Sequence, residues 1–490
     1  MSARAYSIVS RRALLTGVAG LAIAAPVFCR AAADTPALAQ GFIDAVNGDT
    51  GVRTAWIAET MSPAGLARNA PETLQALMAA LQSASGGLDI IDAAEQPQVI
   101  RIKVRARASS KVRQFDLRKD RDDPRLIFDP RPRPGPTPYD QPVPETPLDR
   151  SALRAALARR FAFAIEQGDF SGAARIVAPS GEVVFEIANG LANVETGEAA
   201  TPAHRFNLGS ADKSFTAILI GRLILEGRLS FDTPVIEILP DYANKAAAKA
   251  MTIRHLLTHT AGLGGLWERP GYDKARPYDR VGQLLPAFWA AEPAFPPGGG
   301  ARYSNEGFVL LGSIVERITG RAWWDELAEK VYAPAGMVHS AHLIAGQPAA
   351  LKATGYRFRE GDDLGLGQRQ ANLDFVGYRG NSCGGGYSTV GDMTAYLRAL
   401  RAGKLLDLSL VEAMMRPGGL AEFGMGFQIQ PFSGRTVRGH GGGGPFSGID
   451  GRSGVVWETG WAYSILGNYD APFVQVLADD VGRMLAAQTA

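Results

Sequence analysis

Apolar residues recur at helical spacing over about 36–47 and 71–83, then give way to strict alternation. Ile100, Ile102, Val104 and Ala106 alternate with Arg101, Lys103, Arg105 and Arg107, which is the period of a strand with one buried and one wet face. A second strand is expected near 112–118, so residues 34–129 read as a small α+β unit. The basic strand face is read as solvated rather than as a seat for an anionic polymer. Residues 130–147 break the pattern: Pro130, Pro132, Pro134, Pro136, Pro138, Pro142, Pro144 and Pro147 predict an extended spacer with no core of its own.

Periodicity resumes with a helix over about 148–167 and a hairpin with strands near 173–178 and 182–187. Mainly helical patterns run on to about residue 400. Strand patterns return near 425–430, 435–439, 454–458 and 461–467, and a closing helix covers about 473–487. Strands at both ends with helices between predict that the ends pair in one antiparallel sheet with flanking helices. The middle then forms a helical lobe, with a cleft where the two meet. The fold class is therefore α+β, with the large domain at 148–490 preceded by the small one. The helices-then-sheet order of the small unit loosely resembles a cystatin-like or nuclear-transport-factor-like cone.

Composition changes one part of this picture. Of 490 residues 46% are hydrophobic and 20% charged, which is ordinary for a globular chain. The first 33 residues stand apart: Ser10-Arg11-Arg12-Ala13-Leu14-Leu15 is a twin-arginine signature, followed by an apolar run to Phe28 and the small residues Ala31-Ala32-Ala33. Gly17, Gly20 and Pro26 interrupt that run, so it is expected to be a cleaved export signal and not a membrane span. Its loss removes four arginines and no acid, so formal charge goes from +2 to −2, and nothing in the charge points to nucleic acid. Cys29 leaves with it and Cys383 remains alone, which excludes an intrachain disulfide. A periplasmic or secreted location follows as the expectation.

Candidate chemistry concentrates in a few short segments. Ser210 heads the apolar run Phe215, Ala217, Ile218, Leu219, Ile220, Leu223, Ile224 and Leu225, and Lys213 lies on the same helix face one turn on. Exposed amides at that helix end favour an alkoxide on Ser210. Lys213 can take the serine proton only in its uncharged form, which burial favours. Asp212 beside it is able to hold the amine charged.

Tyr303-Ser304-Asn305 precedes an apolar helix (Phe308, Leu310, Leu311, Ile314, Val315), so a phenol and an amide two apart can point into one cleft. Gly439-His440-Gly441-Gly442-Gly443-Gly444 follows a strand pattern, and bare glycines let a backbone approach a substrate and offer N–H groups to an oxyanion. His255 and His259, four apart, lack the glutamate of a zinc peptidase motif and are read as structural. Gly380-Asn381-Ser382-Cys383-Gly384 matches the nucleophile-elbow pattern, yet glycines follow where a helix must start, so Ser382 is read as a decoy. Aromatics between Gly264 and Gly300 (Trp267, Tyr272, Tyr278, Phe288, Trp289) are either pocket wall or core.

Taken in order, Ser210-Ala211-Asp212-Lys213, His255-Leu-Leu-Thr-His-Thr-Ala-Gly262, Tyr303-Ser304-Asn305, Pro334-Ala335-Gly336-Met337, Gly384-Gly-Gly-Tyr-Ser-Thr-Val-Gly-Asp392 and Gly439-His440-Gly441-Gly442 resemble the class C β-lactamase-like serine hydrolases. The resemblance spans about 150–488 and implies the penicillin-recognising fold. It implies Ser210 as acylated nucleophile, Lys213 as its base, Tyr303 as proton carrier and Asn305 as holder of a substrate amide. It also implies His440 as a catalytic residue on the glycine strand, with Gly442 and Gly443 against the substrate and the N–H groups of Ser210 and Gly443 as the oxyanion hole. Where β-lactamases carry Lys-Thr-Gly this chain has His440-Gly441-Gly442. The expected activity is therefore hydrolysis of esters or small amides by an exported enzyme without metal or cofactor. A D,D-carboxypeptidase or weak β-lactamase acting on cell-wall peptides, and a binding module without turnover, are the alternatives. A small-molecule ester, amide or wall peptide is the expected partner, and the oligomeric state stays open.

Overall fold

The computed structural model describes residues 35–490 except 110, 131–135, 138, 268, 360, 361 and 363. The export-signal expectation lies outside the described residues.

The first unit carries helices α1 (Ala37–Asn47), α2 (Thr50–Thr60), α3 (Pro63–Arg68) and α4 (Pro71–Ser85), then strands β1 (Leu88–Glu95), β2 (Val99–Ala106), β3 (Val112–Lys119) and β4 (Ile127–Asp129). The strands form one antiparallel sheet in the order β1-β2-β3-β4. Helix α1 buries Ala39, Phe42, Ile43 and Val46, and α4 buries Leu74, Leu77, Met78 and Leu81, the one-stripe spacing of helices lying on a sheet. Ile100, Ile102, Val104 and Ala106 of β2 close that core. On the outer face Arg101 pairs with Asp116 at 2.9 Å and Lys103 with Asp140 at 3.0 Å, so the basic face is ion-paired. Helices α2 and α3 and strand β1 were not resolved by the periodicity: β1 shows little alternation, with a bulge between Ile90 and Asp92.

The proline-rich stretch does not run free where it is described. Thr137 is buried, and its N–H donates to Asp169 Oδ2 at 2.6 Å. Tyr139 packs edge-on against Phe163, its ring 4.5 Å beneath the Arg160 guanidinium. Arg113 of β3 ties the two units together. Fully buried, it pairs with Asp169 at 3.2 Å, and its Nε donates to the Leu364 carbonyl at 3.2 Å. Leu364 and Leu366, far along the chain, complete the hydrophobic core of the first unit.

The large unit starts with α5 (Arg150–Glu166) and the hairpin β5 (Gly172–Val177) and β6 (Val183–Asn189). Helices α6 (Asp212–Leu225), α7 (Asn305–Thr319) and α8 (Val390–Arg401) belong to the middle. Strands β7 (Gln428–Phe432), β8 (Arg435–Gly444), β9 (Ile449–Val456) and β10 (Ala462–Gly467) precede the closing helix α9 (Phe473–Ala486). The six strands make one antiparallel sheet in the order β7-β8-β9-β10-β5-β6, so the two ends of the domain pair as expected. Helices α5 and α9 cover one face, through Leu157, Phe161, Leu477 and Val481. The other face shares its core with α6, α7 and α8. Helix α6 is buried from Asp212 through Gly221, so it is the central post of the lobe. Much of the expected helical middle is irregular: residues 258–304 and 337–386 are mostly loops and turns, and these loops wall the cleft.

Candidate active site

Ser210 sits in a single helical turn (Gly209–Ala211) leading into α6, so its N–H belongs to the first turn, where no earlier helical carbonyl can take it. The Lys213 side chain is fully buried, which requires partners for each of its polar sites. Its Nζ lies 3.0 Å from Ser210 Oγ, 2.8 Å from Asn305 Oδ1 and 2.5 Å from the Cys383 carbonyl oxygen. The Tyr303 ring centroid is 4.8 Å from the same amine.

Tyr303 and Asn305 are placed by the entry to α7. Ser304 caps that helix, its hydroxyl accepting from the Gly307 N–H at 2.9 Å, and its own N–H donates to His259 Nδ1 at 3.1 Å. The His259 ring in turn lies 4.5 Å from the Tyr303 ring and 5.2 Å from Phe308. Burial holds His259 neutral, well below the usual histidine range, so it acts as acceptor and platform. His255 caps its own short helix with Thr252. Both histidines are structural, and no group of three metal-ligating side chains occurs among the described residues.

The glycine strand β8 approaches the nucleophile directly. A Cβ on Gly442 would stand 1.9 Å from the Leu208 carbonyl oxygen and 2.5 Å from Ser210 N. A Cβ on Gly209 would meet Gly443 N at 2.6 Å. Only glycines permit this contact. The Gly441 N–H donates to Gln428 Oε1 at 2.8 Å on the outer edge of β8. Alternation puts the Gly443 N–H on that same edge, beyond the last β7 pairing at Gly439, where it faces the Ser210 turn. The Gly443 N–H thus lies against the turn that carries Ser210.

His440 lies on β8. Its ring is buried at 6.0 Å from Phe423, its Nδ1 lies 2.5 Å from the Gly441 carbonyl oxygen, and no hydrogen bond joins it to Ser210, Lys213 or Tyr303 among the described residues. Burial pushes it down to about 3, so it is neutral at pH 7. Asp212 departs from expectation. It does not face Lys213: its Oδ2 accepts from the Gly386 N–H at 2.6 Å and Oδ1 lies 3.3 Å from His342 Nε2. Since Leu208 N–H donates to the Gly386 carbonyl at 2.7 Å, Asp212 clamps the 383–386 loop onto the nucleophile turn.

That loop is the decoy motif. Ser382 is fully buried, and its carbonyl accepts from Thr216 Oγ1 at 2.7 Å. The next carbonyl, at Cys383, is the one that holds Lys213; a backbone acceptor leaves no mark in the sequence except the glycines that allow the turn.

A chamber of about 660 Å³ opens over Ser210, Tyr303, Asn305 and Gly443. Trp267 and Tyr272 line it, with their rings 5.4 Å apart. Tyr278, Phe288 and Trp289 instead pack in the core of the lobe, which divides the aromatic segment between wall and interior.

A hydroxyl with a buried amine at hydrogen-bond distance, beside a bare glycine strand, defines the class as a serine hydrolase. The chain belongs to the beta-lactamase family, whose model matches residues 153–484. Esterase EstB of Burkholderia gladioli is 33% identical over 217 residues, covering 41% of this chain and 54% of that protein. Penicillin-binding protein 4 of Amycolatopsis lactamdurans is 34% identical over 174 residues, covering 35% and 45%. The chain spans about half the length of the curated relatives it matches. Among solved structures, a penicillin binding protein from Bacillus halodurans superposes with a TM-score of 0.58 at 28% identity, over 66% of this chain and 98% of that one.

Proposed function

We propose that the protein is an exported hydrolase that forms an acyl-enzyme on Ser210 and cleaves esters or small amides. The observation that carries this reading is the hydrogen bonding of Lys213. A neutral amine has two hydrogens and one lone pair. As an ammonium, Lys213 fills its contacts to Asn305 Oδ1, the Cys383 carbonyl and Ser210 Oγ, at 2.8, 2.5 and 3.0 Å, with its three hydrogens; once one is lost, the two oxygens that can only accept keep the other two and the lone pair faces Ser210.

In the proposed sequence the Ser210 proton passes to Lys213 as Oγ bonds to the substrate carbonyl carbon. The carbonyl oxygen gains the negative charge and is held by the N–H groups of Ser210 and Gly443. Collapse breaks the bond to the leaving group, which takes a proton relayed from Lys213 through the Tyr303 hydroxyl. Water then repeats the steps on the ester, giving the acid and restoring Ser210. Asn305 both orients the amine and offers an amide to the substrate. With His440 neutral, the chamber end of β8, Gly443 and Gly444, supplies no cation for a β-lactam or peptide carboxylate, which favours esters and small amides. Export rests on the Ser10-Arg11-Arg12 signature and is tested by cell fractionation of wild type against Arg11→Lys with Arg12→Lys.

The test of the activity is p-nitrophenyl acetate turnover by wild type and Ser210→Ala, with nitrocefin in parallel. Loss of ester turnover in the variant is expected. Equal turnover in both refutes the assignment, and nitrocefin turnover exceeding ester turnover moves the enzyme to the β-lactamase branch.

A further inference from the structure

We infer that the chamber selects substrates bearing a carboxylate, held by Arg379 and Lys274 on the wall that carries the 372–380 loop. This rests on the acyl-enzyme reading above and adds the substrate class. Arg379 and Lys274 both line the chamber with Ser210. The two segments are tied side by side, because the Tyr378 N–H donates to the Lys274 carbonyl at 2.7 Å.

Arg379 is half-buried and fixed. Its Nε donates to the His342 carbonyl at 3.1 Å, and its guanidinium carbon lies 4.1 Å from the Trp324 ring centroid. Those two contacts leave the terminal nitrogens of a planar fork, the shape that receives a carboxylate with two bonds. Lys274 is exposed and donates to the Asp374 carbonyl. Neither cation has a carboxylate at ion-pair distance among the described residues: Asp374 is bound by Arg357 at 2.6 Å, and Asp325 influences Arg379 only from farther off. Asp273 is the one acid among the described lining residues, and its side chain accepts from the Ala275 N–H at 2.9 Å. The balance of charge facing the substrate is therefore positive, while Gly443 and Gly444, the residues of β8 that line the chamber, contribute none. Trp267 and Phe375, 52% and 43% exposed at the same chamber, offer apolar surface to the chain that carries the anion.

The experiment compares kcat/KM for two matched pairs: p-nitrophenyl hydrogen glutarate against its methyl ester, and 4-acetoxybenzoate against its methyl ester. The first pair puts the carboxylate on the acyl group, the second on the leaving group. Wild type is expected to prefer the acid in at least one pair by about tenfold, as one charge-assisted contact supplies. Arg379→Gln and Lys274→Gln should each lower that ratio, the double variant should bring it to about one, and rising salt should lower it in wild type. Lys274 is a surface residue, so its variant reports even where Arg379→Gln is poorly folded. A wild-type ratio of one or below in both pairs overturns the inference while leaving the acyl-enzyme reading intact. So does a ratio unchanged in the double variant. Undiminished turnover of all four esters by Ser210→Ala overturns both.

Discussion

The Gly442→Ala substitution perturbs the catalytic centre without touching any side chain proposed to react. The added Cβ would stand 1.9 Å from the Leu208 carbonyl and 2.5 Å from Ser210 N, both backbone atoms that cannot swing away. Reaching the 3.0 Å that real Cβ contacts respect moves β8 from the nucleophile turn by about 1 Å. The Gly443 N–H, next in the strand, moves with it. One oxyanion donor is worth about 3 kcal/mol of barrier, and a misplacement of about 1 Å costs roughly a hundredfold. The expected result is therefore a fall in kcat of roughly a hundredfold for p-nitrophenyl acetate. Thermal melts should show that the variant is still folded, and active-site titration fixes the enzyme concentration. A folded variant with kcat within threefold of wild type would refute the claim that the glycine strand builds the oxyanion site.

Further outcomes follow from the same contacts. Asp212→Ala leaves the buried Gly386 N–H without its acceptor, so stability should fall by about 1–3 kcal/mol in urea titrations, with kcat falling as the Cys383 carbonyl releases Lys213. Stability unchanged by that substitution would contradict the clamp. His440 has a folded pKa of about 3 against an ordinary 6.5, so protons favour the unfolded chain and stability is lost as pH falls from about 6.5 toward 3, by up to about 1.4 kcal/mol per pH unit. Denaturant titrations at pH 7, 6, 5 and 4 should show a shallower loss for His440→Gln, and an identical slope would contradict its buried, neutral state. Arg113→Ala strips the partner from buried Asp169 and the donor from the Leu364 carbonyl, so melting should shift down by the equivalent of about 3–5 kcal/mol. An unshifted melt would mean that the two units are not held by this residue.

Legibility in the sequence followed the range of the physics. Local patterns were readable: β2 alternates because one face meets the core, and α1 shows its stripe of Ala39, Phe42, Ile43 and Val46 because that side lies on the sheet. Helix α6 was placed by its apolar run and its reactive head, and its burial on nearly all sides explains why no polar face marked its direction. The orientation of Asp212 could not be read, because the Gly386 amide and His342 that draw it away lie more than a hundred residues along the chain. The Cys383 carbonyl was invisible for a different reason, since any residue supplies one. Leu364 and Leu366 sit in an irregular loop whose apolar residues show no period, so nothing local revealed that they fill the core of a unit closed at Ile127. Trp267 and Tyr278, close in sequence and alike in character, ended on opposite sides of the pocket wall, because loop conformation decides exposure and periodicity does not reach it.

The central claim is that Ser210, backed by a buried amine, is the atom that attacks carbonyl carbon. Its most direct measurement is peptide mapping by mass spectrometry after a fluorophosphonate reaction with wild type, Ser210→Ala and Ser382→Ala. A single adduct on the peptide carrying Ser210, retained in Ser382→Ala and absent from Ser210→Ala, is the predicted result. An adduct that survives Ser210→Ala, or that maps to Ser382, would contradict the account.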